Sequence, residues 1–135
     1  MIALDTNIIV RFLVRDDKKQ ANAVYRRFKQ AEADHATFFV PLVVVLETIW
    51  VLESAYDKYR GEILDALADM RSMPILRFEK DEVLQRLLAE GRSGNADLAD
   101  LLIAHSAHSC GCEAGLTFDK QAARLSFFTI LKAEA

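Results

Sequence analysis

Two short strand-like runs, each stopping at an aspartate, set the strongest limit on how this chain folds. Residues 2–4 (IAL) end at Asp5, and residues 113–118 end at Asp119. Runs this short suit buried strands rather than helices. After Asp5 the pattern changes, and Ile8, Ile9, Phe12 and Leu13 recur at helical spacing. A buried strand that hands over at once to a helix is the repeating unit of an α/β fold.

The alternation continues along the chain. Asp16 and Asp17 open a second helix whose Ala21, Val24, Phe28 and Ala31 share one face. Residues 37–40 are β-branched and aromatic, hence a strand, ended by Pro41. Residues 42–52 are almost wholly apolar over a helical length and predict a buried helix. Residues 60–70 and 80–89 read as amphipathic helices, with a candidate strand at 74–78 between them. Residues 91–94 predict a loop, with Asn95 capping the next helix. Residues 127–131 predict the last strand. The expected fold is therefore α/β, with a mainly parallel sheet between helical layers. Ligands of such folds bind beyond the carboxyl ends of the strands, where Asp5 and Asp119 stand.

A chain of 135 residues that is 52% apolar is enough for one substantial core. Two prolines and five glycines leave little room for a linker, so a single domain over residues 1–135 is expected. MIALDTNIIV lacks a basic leader and carries Asp5 inside its apolar stretch, unlike a secretory signal. Its longest apolar run, residues 38–46, contains Pro41 and falls short of the ~20 residues that span a bilayer. The expectation is a soluble, cytoplasmic protein. Its net charge of −3 does not advertise nucleic-acid binding. Local basic groups do exist, at Arg11, Arg15, Lys18 and Lys19, and at Arg26, Arg27 and Lys29. They read equally as a solvated helix face or as a strip facing RNA.

Four acids stand out: Asp5, Glu47, Asp100 and Asp119. Asp5 and Asp119, taken singly, are candidate helix caps. Asp97 near a helix start simply favours the dipole. Asp100 lies among Leu98, Leu101, Leu102 and Ile103, and on the expected helix start it falls past the first turn. Asp97 and Asp100, three apart, share a face. Glu47 interrupts LVVVL-E-TIWVL, a helix that reads as apolar all round, with no Lys or Arg within a turn. A buried lone glutamate protonates, whereas one held by a cation stays ionised. Four carboxylates without a clear Cys or His partner suit a hard ion, Mg²⁺ or Mn²⁺. Such an ion lowers the pKa of a bound water and stabilises charge on a phosphoryl group.

HSAHSCGC, with His105, His108, Cys110 and Cys112, invites a zinc reading, but its spacing matches no standard zinc module. The plainer reading is a helix end followed by a turn at Gly111.

Four strings together resemble the PIN-domain ribonucleases, and among them the VapC-type toxins of toxin–antitoxin pairs. They are IALDTNIIVRFLV, VVLETIWVL, NADLADLLIAHSA and GLTFDK, and they span nearly the whole chain. The resemblance implies a three-layer α/β/α sandwich with an acidic pocket for Mg²⁺ or Mn²⁺. It implies cleavage of single-stranded RNA and inhibition by a VapB-like antitoxin. On the resemblance, Asp5 and Asp100 look like the primary metal ligands. Glu47 and Asp119 look like the others. Thr6, Asn7, Thr117 and Asp97 match supporting positions. The chain departs from the family pattern after Asp119, where KQAARLSFF stands in place of a short turn and an aromatic. The antitoxin is expected to insert an Arg or Lys among the acids and to lie in a groove of the first two helices and the Trp50 helix. A homodimer is expected too.

Other protein classes place acids in similar positions. A stand-alone RNA-processing nuclease would share every one of these residues. A receiver-like Mg²⁺ module would want paired acids after the first strand and a late lysine. A haloacid-dehalogenase-like phosphatase would want Asp-x-Asp where the chain has DTN. A dinucleotide-binding module would want Gly-x-Gly-x-x-Gly, which is missing.

Overall fold

A computed structural model describes residues 1–133. The chain divides into two compact units, Met1–Asp81 and Glu82–Ala135. The first runs β1 (Ile2–Ala3), α1 (Thr6–Leu13), α2 (Lys18–Ala33), β2 (Phe38–Val40), α3 (Leu42–Ser54), α4 (Arg60–Arg71) and β3 (Leu76–Phe78). Its three strands form one parallel sheet in the order β1-β2-β3. Ile2 pairs with Phe38, and Phe38 with Leu76; Val40 pairs with Phe78. Parallel neighbours need long crossovers, which the helix pairs α1–α2 and α3–α4 supply.

Local chemistry starts these helices. The Asp5 carboxylate accepts the Ile8 N–H at 3.1 Å, and Asp17 accepts that of Gln20 at 3.0 Å, so each caps a first turn. Pro41 precedes α3 and offers no side-chain cap. Glu79, just past β3, supplies it from a distance in sequence by accepting the Leu42 N–H at 3.0 Å. Ile9, Val45, Ile49, Ile63, Leu67 and Met70 are fully buried. The Phe28 ring lies 5.0 Å from that of Phe12 and 5.5 Å from that of Phe38, joining α1, α2 and β2.

A polar clamp closes one side of this unit. The Arg11 guanidinium donates to Asp16 at 3.0 Å, to the Tyr56 hydroxyl at 3.1 Å and to Gln20 at 2.7 Å. The same Tyr56 hydroxyl donates to Asp16 at 2.9 Å. That bond, with the Arg11 charge beside it, holds the Asp16 carboxyl below its ordinary range.

The second unit holds the body of α5 (Asp81–Ser93), then α6 (Leu98–Ser109), β4 (Gly115–Thr117), a 3-10 turn at Ala122–Arg124 and β5 (Phe128–Ile130). β4 and β5 pair in parallel, Gly115 opposite Phe128 and Thr117 opposite Ile130. A Cβ on Gly115 would stand 2.9 Å from the rings of Phe127 and Phe128, so any larger residue there forces these rings to move. Val83, Leu84 and Leu87 of α5 are buried, as are Leu98, Leu101 and Leu102 of α6.

The α/β class and parallel strands match the sequence reading. Two details differ. The strands form two hydrogen-bonded sheets rather than one. Residues 91–93, read as loop, continue α5, where Gly91 is buried on the helix's apolar face. Glycine within a helix is tolerated, but patterning alone reads it as a break.

Ile49→Ala should lower stability by ~2–5 kcal/mol, because α3 cannot collapse around the lost volume; urea denaturation at neutral pH measures it. The clamp has a pH signature. A depressed carboxyl contributes stability above its ordinary value of 3.8 and loses it as pH falls through the depressed value. Tyr56→Phe should therefore melt below the wild type at pH 7, and the gap should narrow on acidification. A constant gap from pH 7 to pH 2.5 would show that the hydroxyl matters only through packing.

Candidate active site

Asp5 and Glu47 belong to the first unit. Asp5 follows β1 with extended backbone, φ −91° and ψ 174°, and is exposed. Its cap bond uses one carboxylate oxygen and so fixes the direction of the other. Asp5 and Asn7 line one shallow hollow of about 380 Å³, together with Arg11 and Gln20. Thr6, between them, is buried at 7% exposure.

Glu47 departs from the sequence reading. It is exposed, not enclosed. Val43 and Trp50, 69% and 65% exposed, stand one turn before and after it. Positions 43, 47 and 50 form a single stripe, so α3 has an outward face that its composition conceals. The cost of desolvating a lone glutamate therefore gives no argument for a cation here. The case for Glu47 rests on the motif around it.

Asp97, Asp100 and Asp119 belong to the second unit. Asp97, not Asn95, is the N-cap of α6; its carboxylate accepts the Asp100 N–H at 3.0 Å. Asp100 consequently sits in the first turn of the helix, not beyond it. The helix dipole favours its charge there. Even so its carboxyl is raised, first by burial, then by the charges of Asp97 and Asp119. Asp100 thus feels both other acids of this unit, as expected for carboxylates gathered without a counter-charge.

Asp119 is held by its neighbours. Its N–H donates to the Thr117 hydroxyl at 2.9 Å, and its carboxylate accepts the Gln121 N–H at 2.8 Å. Thr117 is the last residue of β4, so the Thr-x-Asp spacing lets the strand end orient the acid. The 3-10 turn follows, with the Ala123 N–H donating to the Asp119 carbonyl at 3.1 Å.

These donors fit a divalent cation in kind. Among the described residues no three His, Cys, Asp or Glu side chains converge as a complete ligand cage. Mg²⁺ does not require one, because it keeps several waters and takes one or two carboxylates directly. The raised Asp100 carboxyl is the observation that such a charge would relieve.

The remaining polar strings have simpler roles. The Gly111 N–H donates to His108 and the Cys112 N–H to Ala107, with Gly111 at φ 93°, which is the hydrogen-bond pattern of a Schellman helix end. Cys110 and Cys112 are exposed and form no disulfide among the described residues. His105 Nε2 lies 3.3 Å from Glu90, is buried, and lacks hydrogen-bond geometry. Of the basic groups, Arg11 serves the clamp, Arg15 donates to Asn22, Arg27 covers the Phe38 ring and Lys29 pairs with Glu32. They are largely committed within the fold. Sequence patterning overlooked Arg124, five residues past Asp119, because DKQAARL reads as an ordinary helix start.

Asp100→Asn should raise the melting temperature in EDTA at pH 7, since it removes a charge the native state penalises. The sign follows from the raised carboxyl. The penalty is present above the raised value, falls as pH drops through it, and is gone below 3.8. The advantage of Asn should shrink to nothing over that interval. A variant less stable than wild type at pH 7 would mean that Asp100 has an attractive partner.

No helix among the described residues is long and apolar enough to cross a membrane. Neither the curated proteins nor the solved structures contain a match to the chain. The model of one family, the PIN domain, matches residues 2–128, and so takes in the strings that hold Asp5, Glu47, Asp97, Asp100, Thr117 and Asp119. With nearly its full length matched, the chain belongs to the PIN-domain family.

Proposed function

We propose that this protein is a metal-dependent endoribonuclease acting as the toxin of a toxin–antitoxin pair. The observation that carries the reading is the family match over residues 2–128, since PIN domains are generally nucleases. On this reading residues 1–135 act as one domain. Asp5, Glu47, Asp100 and Asp119 are the carboxylates that hold Mg²⁺ or Mn²⁺, and Thr6, Asn7, Asp97 and Thr117 support them. The all-oxygen donor set and the repulsion felt by Asp100 favour a hard divalent ion.

When bound, such an ion supplies a water of lowered pKa and offsets charge building on the phosphoryl oxygens. The chain's own residues do the positioning. Asp97 caps α6 through the Asp100 N–H and so fixes the turn from which the Asp100 side chain departs. Thr117 and the Gln121 N–H restrain Asp119 on both sides. The Ile8 N–H does the same for Asp5. Groups locked before substrate arrives need little reorganisation as charge develops. No protein nucleophile is needed.

The proposed partners are RNA, a VapB-like antitoxin that inserts a basic side chain among the acids, and a second copy of the chain. Exposed Val43 and Trp50 on α3 offer apolar surface to such a partner. A stand-alone RNA-processing nuclease is the second reading, because every residue above would serve it equally.

Asp5→Asn and Asp100→Asn should each reduce cleavage of single-stranded RNA by ~100-fold or more in Mg²⁺ or Mn²⁺, with circular dichroism unchanged. Wild-type cleavage by either variant, in a nuclease-free preparation, would sink the four-acid reading. The toxin role has its own test. Expression of the chain alone should arrest growth, and Asp5→Asn should not. Harmless high-level expression of a chain that cuts RNA in vitro would leave the RNA-processing reading instead.

A further inference from the structure

The second unit holds a cavity of about 280 Å³ beside the acids. Leu125 gives it apolar surface, Asn95, Asp97 and Gln121 give it polar surface, and Arg124 joins them. We propose that this cavity is a subsite for one unpaired nucleotide of the RNA, its base against Leu125 and its phosphate on Arg124. The inference rests on the ribonuclease reading and adds to it a substrate contact outside the acids.

The chemistry of the lining is that of a nucleotide site. The volume is near the lower end of small-molecule pockets, enough for one base and its sugar. Leu125 is half-buried and offers apolar surface to the face of a ring. Asn95 and Gln121 each carry an amide with donor and acceptor side by side, the groups that read a base edge. The Gln121 backbone N–H is bonded to Asp119, which anchors the residue while its side chain stays exposed.

Charge sets where a phosphate can sit. Glu90 and Asp97 also line the cavity and repel an anion, and Arg124 is the one cation among the described residues that line it. Arg124 takes part in none of the ion pairs seen among the described residues, whereas Arg11 and Arg71 hold Asp16 and Asp81. A phosphate is therefore held at Arg124 alone, with the neutral base turned toward the rest of the cavity. The base must be unpaired to enter, which selects single-stranded RNA. The cavity also joins directly onto the acids. Asp97 lines it, and Gln121 ties it to Asp119, so RNA held there runs on toward the residues assigned to cleavage.

The test uses the full chain and a fluorescein-labelled single-stranded oligoribonucleotide, with binding read by anisotropy in EDTA so that nothing is cut. Arg124→Ala should weaken binding ~10-fold, and Arg124→Gln, which keeps length without charge, should do the same. The slope of log K against log salt should shrink by ~0.7, the loss of one phosphate contact on a single strand. Arg124→Lys should recover most of the affinity. In Mg²⁺, KM for RNA should rise in Arg124→Ala while kcat stays within ~3-fold, which a merely structural role would not produce. Gln121→Ala should alter the preference among oligo-A, oligo-C and oligo-U.

If the wild type binds and cuts RNA while both neutral Arg124 variants keep its affinity and salt slope, the subsite is overturned and the ribonuclease reading stands. If a labelled oligo-glutamate peptide needs Arg124 and the oligoribonucleotide does not, the cavity belongs to a protein partner. If the wild type neither binds nor cuts RNA, the ribonuclease reading falls and this inference falls with it.

Discussion

Parallel strand pairing is the constraint on which the arrangement of this chain depends. A parallel ladder sends every strand in one direction, so the carboxyl ends gather at one edge of the sheet. In the first unit that edge is reached by Asp5 after β1, Pro41 after β2 and Glu79 after β3. In the second it is reached by Asp119 just past β4. An antiparallel pairing of the same segments would divide these residues between two edges. The long crossovers that parallel pairing demands are also what supply the helices carrying Glu47 and Asp100.

The acids at these ends serve structure before chemistry. Asp5, Asp97 and Asp119 each accept one backbone N–H at the start of a helix or turn. A carboxylate has two oxygens, and the cap engages one of them. The side chain is thereby held in a single rotamer, with its second oxygen aimed by the backbone. This is why the plain reading of these residues as caps and the proposed reading as ligands do not compete. Glu79 shows what the same carboxylate group does when only structure is at stake: it closes the start of α3, which Pro41 cannot cap.

Asp100 differs from its neighbours because its carboxyl is partly enclosed and feels two other acids. A protein built only for stability would avoid that arrangement. Strain of this kind gathers where ions or substrates bind, and here it lies in the same unit as a cavity with an uncommitted arginine. The net charge of −3 is no obstacle to an RNA substrate on this view. Two local features, a cation and a pocket, matter more than the sum over the chain.

Strand and helix alternation, the aspartates at strand ends and the helix end at Gly111 were all legible in the sequence. Each is set by interactions within a few residues: apolar periodicity, a cap, a positive φ. The tertiary structure decided what local pattern cannot encode. Apolar composition made α3 look enclosed, yet exposure depends on what packs against each face, and nothing in LVVVLETIWVL says that Val43, Glu47 and Trp50 are left uncovered. Asn95 and Asp97 are both good caps, and only the packed start of α6 chose Asp97, which moved Asp100 into the first turn. Gly91 reads as a break in the sequence, yet it lies buried within α5 in line with Val83, Leu84 and Leu87. Arg124 and its cavity were invisible because the residues that line it come from α5, α6 and the turn after β4, separated in sequence and joined only by folding.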